Sequence, residues 1–472
     1  MFIQRFIAFN EVNYLFGKCY NFSMKIKWYA NACVRISSDK GTNILCDPWV
    51  NPGAFLGSWY HWPPIPPDYE KSLLTEPCNG IYISHLHPDH YDPKFISKFV
   101  KLNPGIPIYI AQFAHGWLKR SLESVAKGFT HVVEIPTLTQ FQVSDDLSFK
   151  LFAADTCNPL ICGSNIPCQS EPSLRGIDSI AVFYADNAKV VNANDAMGVS
   201  LIPKIAANVG KADLIMGHYG GASPFPQCFP DVEDKISARN KVVETACKML
   251  VSAATAIDAK SVMPFAGQYM LAGKLAELNN FRATIPLDQA VDYLKTLTNK
   301  EIISVMPGGE VNLTENTKSS DYAEPNLEIT KTYLNKISKV KFSYEKIKST
   351  EWIDPAADLL FAAEKVLAKS KSAKIQIKNS FIIGDSKNRV TINLDPSHTE
   401  SSIEYLGQPK FENVTEILMP TELLRNLTLR KNNYLGFTSM HWNQADVGSH
   451  FVWKRRGIFD LSSHMLLNFF GT

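Results

Sequence analysis

Residues 81–92 read IYISHLHPDHYD, and this stretch decides the fold. Four side chains able to bind a metal, His85, His87, Asp89 and His90, fall within six residues. They follow the apolar run Ile81-Tyr82-Ile83, which reads as a buried strand. In an extended segment, residues two apart point the same way, so His85 and His87 can grip one ion together. Pro88 fixes one backbone angle and helps the chain turn. Asp89 and His90 then face a second ion beside the first. Three of the chain's 11 histidines fall here, which argues against a polar loop with chance histidines.

The chain around this motif is long and ordinary in composition. At 472 residues it exceeds one typical core, so two domains are expected. It is 45% hydrophobic and 20% charged, as a globular protein should be. A net charge of +2 gives no reason to propose nucleic acid as a partner. No apolar run reaches the roughly 18 residues of a spanning helix, so no membrane span is expected. Residues 1–23 carry aromatics broken by Asn10, Glu11 and Asn13, with no signal-peptide core; they read as an appendage. The nine cysteines are odd in number and scattered, which fits a reducing cytoplasm and predicts a cytoplasmic protein. No Cys-x-His pair occurs, so no Rieske cluster is expected in this chain.

In order, residues 24–50 read as paired strands, ending in Ile44-Leu45-Cys46 and then Asp47. A carboxylate at the end of a buried strand needs a partner, and Asp47 is a candidate catalytic residue that holds a metal-bound His. Residues 51–69 hold five Pro and five large aromatics and read as a loop outside the core, a lid whose Trp59 and Trp62 stack on substrate. Helices are expected over 93–102 and 115–126, and strands over 108–110, 132–135 and 147–151. The stretch 153–178 reads as a long functional loop carrying Asp155, Cys157 and Asp178. Further strands end at Asp195 and at His218, the latter followed by Tyr219, Gly220 and Gly221. A long helix over 232–258 leads to a strand at 261–264 and on to Tyr269. A polar stretch, 308–326, separates a catalytic domain, 24–315, from a smaller C-terminal domain, 325–472. In that second domain a helix is expected over 356–369, antiparallel strands around Ile375/Ile377 and Val390/Ile392/Leu394, and a helix from Thr421 to Leu427. His441 and His450, among aromatics, read as packing or surface residues.

The motif His85/His87/Asp89/His90 resembles that of the metallo-β-lactamase superfamily. The resemblance implies an αββα sandwich, an α/β fold, with two metals at its sheet edges and Asp195 as the bridging carboxylate; here a smaller α+β domain follows it. The runs CDPWV (46–50), GAFLGSW (53–59), YISHLHPDH (82–90), GGASPFP (220–226) and MPFAGQY (263–269) are more closely similar to the metallo-β-lactamase part of the CMP-N-acetylneuraminate hydroxylase family. YLGF (434–437) and HFVWKR (450–455) extend the likeness weakly. The family's Rieske domain is not matched, so a separate ferredoxin-like electron donor is implied. Two-metal hydrolases supply a third His where this chain offers Asp155, Cys157 or Asp178, and a last His where it has Phe265.

Two reactions follow from this reading. The first is a di-iron monooxygenase acting on a sugar nucleotide or related N-acyl compound, because a carboxylate-rich His/Asp site leans to iron over zinc. The alternative is a hydrolase of a phosphodiester, lactone or amide using metal-bound hydroxide, with Asp47 or His218 assisting. Trp59, Trp62, Tyr219, Gly220, Gly221 and Tyr269 are the candidate substrate contacts. A third reading is a scaffold that binds a ligand without chemistry.

Overall fold

The computed structural model describes residues 24–113, 116–154, 177–185, 188–197, 201–346, 351–371, 373, 375–428 and 440–471. The appendage 1–23, Asp155, Cys157 and the stretch 434–437 lie outside the described residues.

Two mixed sheets face each other. The first has eight strands, in the order Thr317–Lys318, Glu310–Asn312, Lys25–Ala30, Cys33–Ser37, Asn43–Cys46, Gly80–Tyr82, Ile108–Ala111 and Val132–Ile135. The second has seven, in the order Glu301–Ile302, Ser261–Pro264, Leu214–Gly217, Ala188–Asn194, Ser179–Ala185, Leu147–Ala153 and Gln140–Ser144. In each sheet the early strands are antiparallel hairpins. The later ones run parallel: Asn43–Cys46 to Val132–Ile135 in one, Ala188–Asn194 to Glu301–Ile302 in the other. Parallel pairs need crossovers, and helices supply most of them on the outer faces. One continuous core fills the space between the sheets. Tyr109 against Phe149 (centroids 5.3 Å) and Tyr82 against Phe183 (6.3 Å) bridge it. This is the αββα sandwich.

Local chemistry explains the helices. Pro93–Leu102 opens with Pro at its first turn, where the missing N–H costs little. Asp92 caps it, accepting from the Lys94 and Phe95 amides at 3.1 Å each. Phe95, Ile96, Phe99 and Val100 form its buried stripe, and each ring buried is worth about 1.5–3 kcal/mol. The other oxygen of Asp92 accepts from the Asn51 amide at 2.6 Å, tying the next loop to the end of the motif.

That loop corrects one expectation. Residues 51–69 are core elements: Trp59–His61 pairs with Tyr269–Leu271 as a separate two-stranded ribbon. Phe55, Trp59, Trp62 and Tyr69 are all buried. Their rings bury more apolar area against neighbours than a mobile lid would allow.

The C-terminal region carries a five-stranded sheet in the order Ser402–Tyr405, Arg389–Leu394, Asn379–Gly384, Val414–Leu418 and Val452–Arg456. Helix Pro355–Ser370 packs on it through Leu359, Ala362, Ala363 and Val366. Pairing starts at Asn379, two residues after Ile377, so 375–377 lead into the strand instead of forming it. Cys228 and Phe229, from the first half of the chain, sit inside this second core. Among the described residues no helix is long and apolar enough to cross a membrane.

Candidate metal centre

The functional side chains gather where the parallel strands end. Asn43–Cys46 leads to Asp47, Gly80–Tyr82 to the His motif, Ala188–Asn194 to Asp195, and Leu214–Gly217 to His218. In open α/β sheets the carboxyl ends of parallel strands are the usual ligand crevice. The backbone there is strained, with φ of 45° at Asp47, 36° at Asn194 and 52° at Ala266. This left-handed region costs an ordinary residue about 1–2 kcal/mol, and Asn and Asp tolerate it better than most.

Each histidine of the motif has one ring nitrogen held and the other turned to a common centre. Ser84 Oγ lies 2.9 Å from His85 Nδ1. Asp47 Oδ2 lies 3.0 Å from His90 Nδ1, while Asp47 also accepts from the Ser84 amide and hydroxyl at 2.7 Å each. Asn443 Oδ1 lies 2.9 Å from His87 Nε2. The opposite nitrogens converge: His85 Nε2 and His87 Nδ1 are 3.0 Å apart. His90 Nε2 lies 3.3 Å from Asp195 Oδ2 and 3.6 Å from Asp89 Oδ2. Asp178 Oδ1 lies 3.6 Å from His85 Nε2.

Two overlapping triads result. The ligand atoms of His85, His90 and Asp195 all lie within 4.8 Å of one another, as do those of His85, His87 and Asp178. The donor set fits divalent cations, and the polar atoms point to the same conclusion. Asp89 Oδ1 and His90 Nε2 are buried without a hydrogen-bond partner, an arrangement that costs stability unless an ion satisfies it. Holding the outer nitrogen of a ligating histidine is the usual way to fix its tautomer and aim.

The protonation pattern has the same logic. Burial would drive the proton off His90, but Asp195 and Asp89 outweigh burial and hold its pKa well above the usual range. Burial likewise raises Asp195, yet the positive His90 keeps its carboxyl far below the ordinary value. Asp89 and Asp178, with weaker partners, are pushed up to about 6 by burial. His85 is held well below its normal range, by burial first and then by His90 and His87. Three carboxylates held this close to His90 make a place where a divalent cation would take over from its proton.

The other sequence candidates separate. A cavity of about 210 Å³ beside the triads is lined by Trp59, Asp89, Asp195, His218, Gly220, Gly221, Ala266, Gly267 and Tyr269, among others. Trp59 and Tyr269 are stacked at 3.5 Å with their planes 5° apart. His218 Nδ1 lies 2.9 Å from the Gly220 carbonyl. Gly221 lets the chain approach Ala283, whose carbonyl accepts from its amide at 2.6 Å. Tyr219 is buried with its ring packed against Gly267, below the lining. Trp62 is elsewhere, buried with Met270, Ala272 and Ile337, its Nε1 donating to Glu324 at 2.6 Å. Phe265 is buried in the core. His61 is buried and stacked on Trp49 at 3.8 Å. His450 is buried against Tyr344 and the Phe55 carbonyl.

Sequence reasoning missed Ser84, Asn31 and Asn443. Asn31 reaches Asp89 Oδ2 at 3.5 Å. Ser84 follows the strand directly and carries its own signal, a hydroxyl between a buried strand and a histidine. Asn443 carries none, standing 356 residues from His87.

Residues 25–153 match the family model described as a β-lactamase superfamily domain, and the chain has the metallo-β-lactamase fold. A protein of Mycolicibacterium smegmatis named as a Rieske 2Fe-2S iron–sulfur protein is 28% identical over 214 residues, covering 44% of this chain and 36% of that one. Cytidine monophosphate-N-acetylneuraminic acid hydroxylase of Mus musculus is 26% identical over 213 residues, covering 44% of this chain and 32% of that one. A solved structure, the metallo-β-lactamase-fold protein YhfI of Bacillus subtilis, superposes with a TM-score of 0.39 at 12% identity, over 62% of this chain and 99% of that one. The chain thus spans only about a third of the length of these two curated relatives.

Proposed function

We propose that this metallo-β-lactamase-fold chain is a dinuclear-metal oxidoreductase of the hydroxylase type, acting on a sugar nucleotide or related N-acyl compound. The observation that carries the dinuclear reading is the pair of triads with every outer imidazole nitrogen held. His85, His87 and Asp178 would hold one ion, Asp89 and His90 the other. Asp195, within 4.8 Å of the ligand nitrogens of both His85 and His90, would lie between them. When bound, the ions supply Lewis acidity and, as iron, the redox capacity that O₂ chemistry needs. Three carboxylates beside three imidazoles favour iron or manganese over zinc. The hydroxylase assignment is supported by the distant relatives, two of whose names point to hydroxylation or to a Rieske cluster.

The chain's own residues have definable parts. Asp47 and Ser84 orient His90 and His85. The stacked rings of Trp59 and Tyr269 would form one wall of the cavity beside the centre. His218 donates through Nδ1 to the Gly220 carbonyl, so Nε2 is the nitrogen that would take or give a proton in the cavity. That cavity is smaller than the roughly 300–1,000 Å³ of drug-sized pockets, so it would take the reacting end of a substrate and not a whole sugar nucleotide. Hydroxylation consumes O₂, two electrons and two protons, and releases water. The electrons would come from a ferredoxin-like protein in the same reducing cytoplasm that the scattered cysteines suit.

His218 favours a second reading, a hydrolase of a phosphodiester, lactone or amide, in which it protonates the leaving group. Metal analysis and an optical spectrum of anaerobically purified protein separate the two, followed by O₂ uptake with a chemical reductant. Iron with reductant-dependent O₂ uptake supports the hydroxylase. Zinc alone, no O₂ uptake and cleavage of a generic phosphodiester would transfer the assignment to the hydrolase.

A further inference from the structure

The most distant contact in the metal centre comes from the C-terminal region. Helix Trp442–Val447 begins at His441, whose Nδ1 accepts from the Asn443 amide at 3.2 Å. From that first turn the Asn443 carboxamide oxygen reaches His87 Nε2 at 2.9 Å. An amide oxygen can only accept, so His87 Nε2 carries the proton. The lone pair is thereby left on Nδ1, the nitrogen facing His85. His85 and His90 owe the same service to Ser84 and Asp47, which belong to the first sheet's own strand ends. For His87 the partner is lent by another part of the chain.

The segment that lends it is anchored independently of Asn443. His450 Nε2 lies 2.9 Å from the Phe55 carbonyl, and Gln227 Nε2 donates to Ser449 Oγ at 3.1 Å. The Trp453 amide donates to the Cys228 carbonyl at 2.9 Å. A Cβ at Gly448 would stand 2.8 Å from the Phe55 carbonyl, so only glycine allows this approach. The Phe55 ring in turn lies beside His87, centroids 5.8 Å apart. The C-terminal segment is therefore clamped against the motif at several points, and Asn443 is presented by a fixed backbone.

We propose that Asn443 is a positioning residue for the metal centre, selecting the ligating nitrogen of His87, and that the C-terminal region completes the first metal position. This rests on the reading of His87 as a ligand. Because binding couplings are reciprocal, an ion at that position also holds the C-terminal segment in place.

Titration of the metal-free full chain with Co(II), followed by its visible absorption and by chelator competition, tests it. The native chain should take up two ions. Asn443→Ala should bind one with native affinity and the other about 10–100-fold more weakly, the usual loss when a ligand's outer partner is removed. Asn443→Asp, which keeps an acceptor, should restore the second ion. Asn443→Leu keeps bulk without an acceptor and should behave as Asn443→Ala, so a packing defect is told apart from a lost hydrogen bond. Two tightly bound ions in Asn443→Ala, or equal impairment of Asn443→Asp, would overturn the proposal while leaving the dinuclear reading intact. Fewer than two ions in the native chain would sink that reading and take this inference with it.

Discussion

The two halves of the metal centre are built differently. Around His90, the carboxylates come from strand ends of the two facing sheets, Asp47 and Asp195, and from the motif itself, Asp89. Asp47 is fixed by the Ser84 amide and hydroxyl, and Asp195 and Asp89 face His90 Nε2 at 3.3 and 3.6 Å, where the opposite charges of His90 and Asp195 hold each other ionised. Around His87, the neighbours are Asp178, a partly exposed residue just before strand Ser179–Ala185, and Asn443 from the C-terminal region. The first half is preorganised by the fold. The second is assembled from parts far apart in the chain, and the difference predicts which ion is held tightly and which is exchangeable.

The largest effect should come from the group that both halves share. Asp195→Ala removes the carboxylate grouped with both His85 and His90 among the described residues, its oxygen within 4.8 Å of the ligand nitrogens of both. Metal analysis after gel filtration should show the content falling from two ions towards none, with activity lost. Retention of two ions would mean that the halves are independent. Asp47→Ala comes next. It frees His90 Nδ1 and leaves the Ser84 amide without its buried acceptor, so the ion at His90 should weaken about 10–100-fold while the one at His85 and His87, reached only through Ser84, weakens less. Chelator competition reads this directly, and the mirror image of the Asn443 experiment is the outcome that sharpens the comparison.

The same division explains what the sequence could show. Paired strands, helices and the later single strands were legible because hydrophobic period and caps are local, as in Asp92-Pro93 before Phe95 and Phe99. The crowding of His85 to His90 was legible because chain adjacency is enough. Asp47 and Asp195 could be singled out because a carboxylate ending an apolar strand is expensive without a partner. The aromatic loop 51–69 was misread because composition alone does not say that Trp59 would pair with Leu271 and Trp62 would meet Ile337. Asn443 was invisible. A polar side chain in a short helix has no pattern that announces a contact 356 residues away.

Ser84→Ala should act on both halves, but weakly. Its hydroxyl bonds to Asp47 Oδ2 at 2.7 Å and lies near His85 Nδ1, yet the backbone amide still holds Asp47. The loss should be about 1 kcal/mol per ion, or roughly fivefold in affinity. A loss as large as that of Asp47→Ala would show that the two are one inseparable unit.

The smallest effect on the centre should come from a residue that joins the same two sheets at their other end. Asp146, in the turn between Gln140–Ser144 and Leu147–Ala153, accepts from Thr42 Oγ1 at 2.9 Å, Ser144 Oγ at 2.6 Å and the Lys40 amide at 3.2 Å, and also from Ser38. Burial alone would raise its pKa, but these donors outweigh burial and lower it to about 2. A depressed carboxylate stabilises the fold fully above its unfolded value, near 4, and loses that contribution as pH falls towards 2. Asp146→Asn should therefore cost about 1–2 kcal/mol at neutral pH and less in acid, so the melting curves of the two proteins should converge between about pH 4 and 2. Its metal affinity should match the native chain at neutral pH. If Asp146→Asn also loosens an ion, the sheets move as one body, and the contrast between a preorganised half and an assembled half would have to be replaced by a single centre whose every ligand depends on how the sheets are clamped.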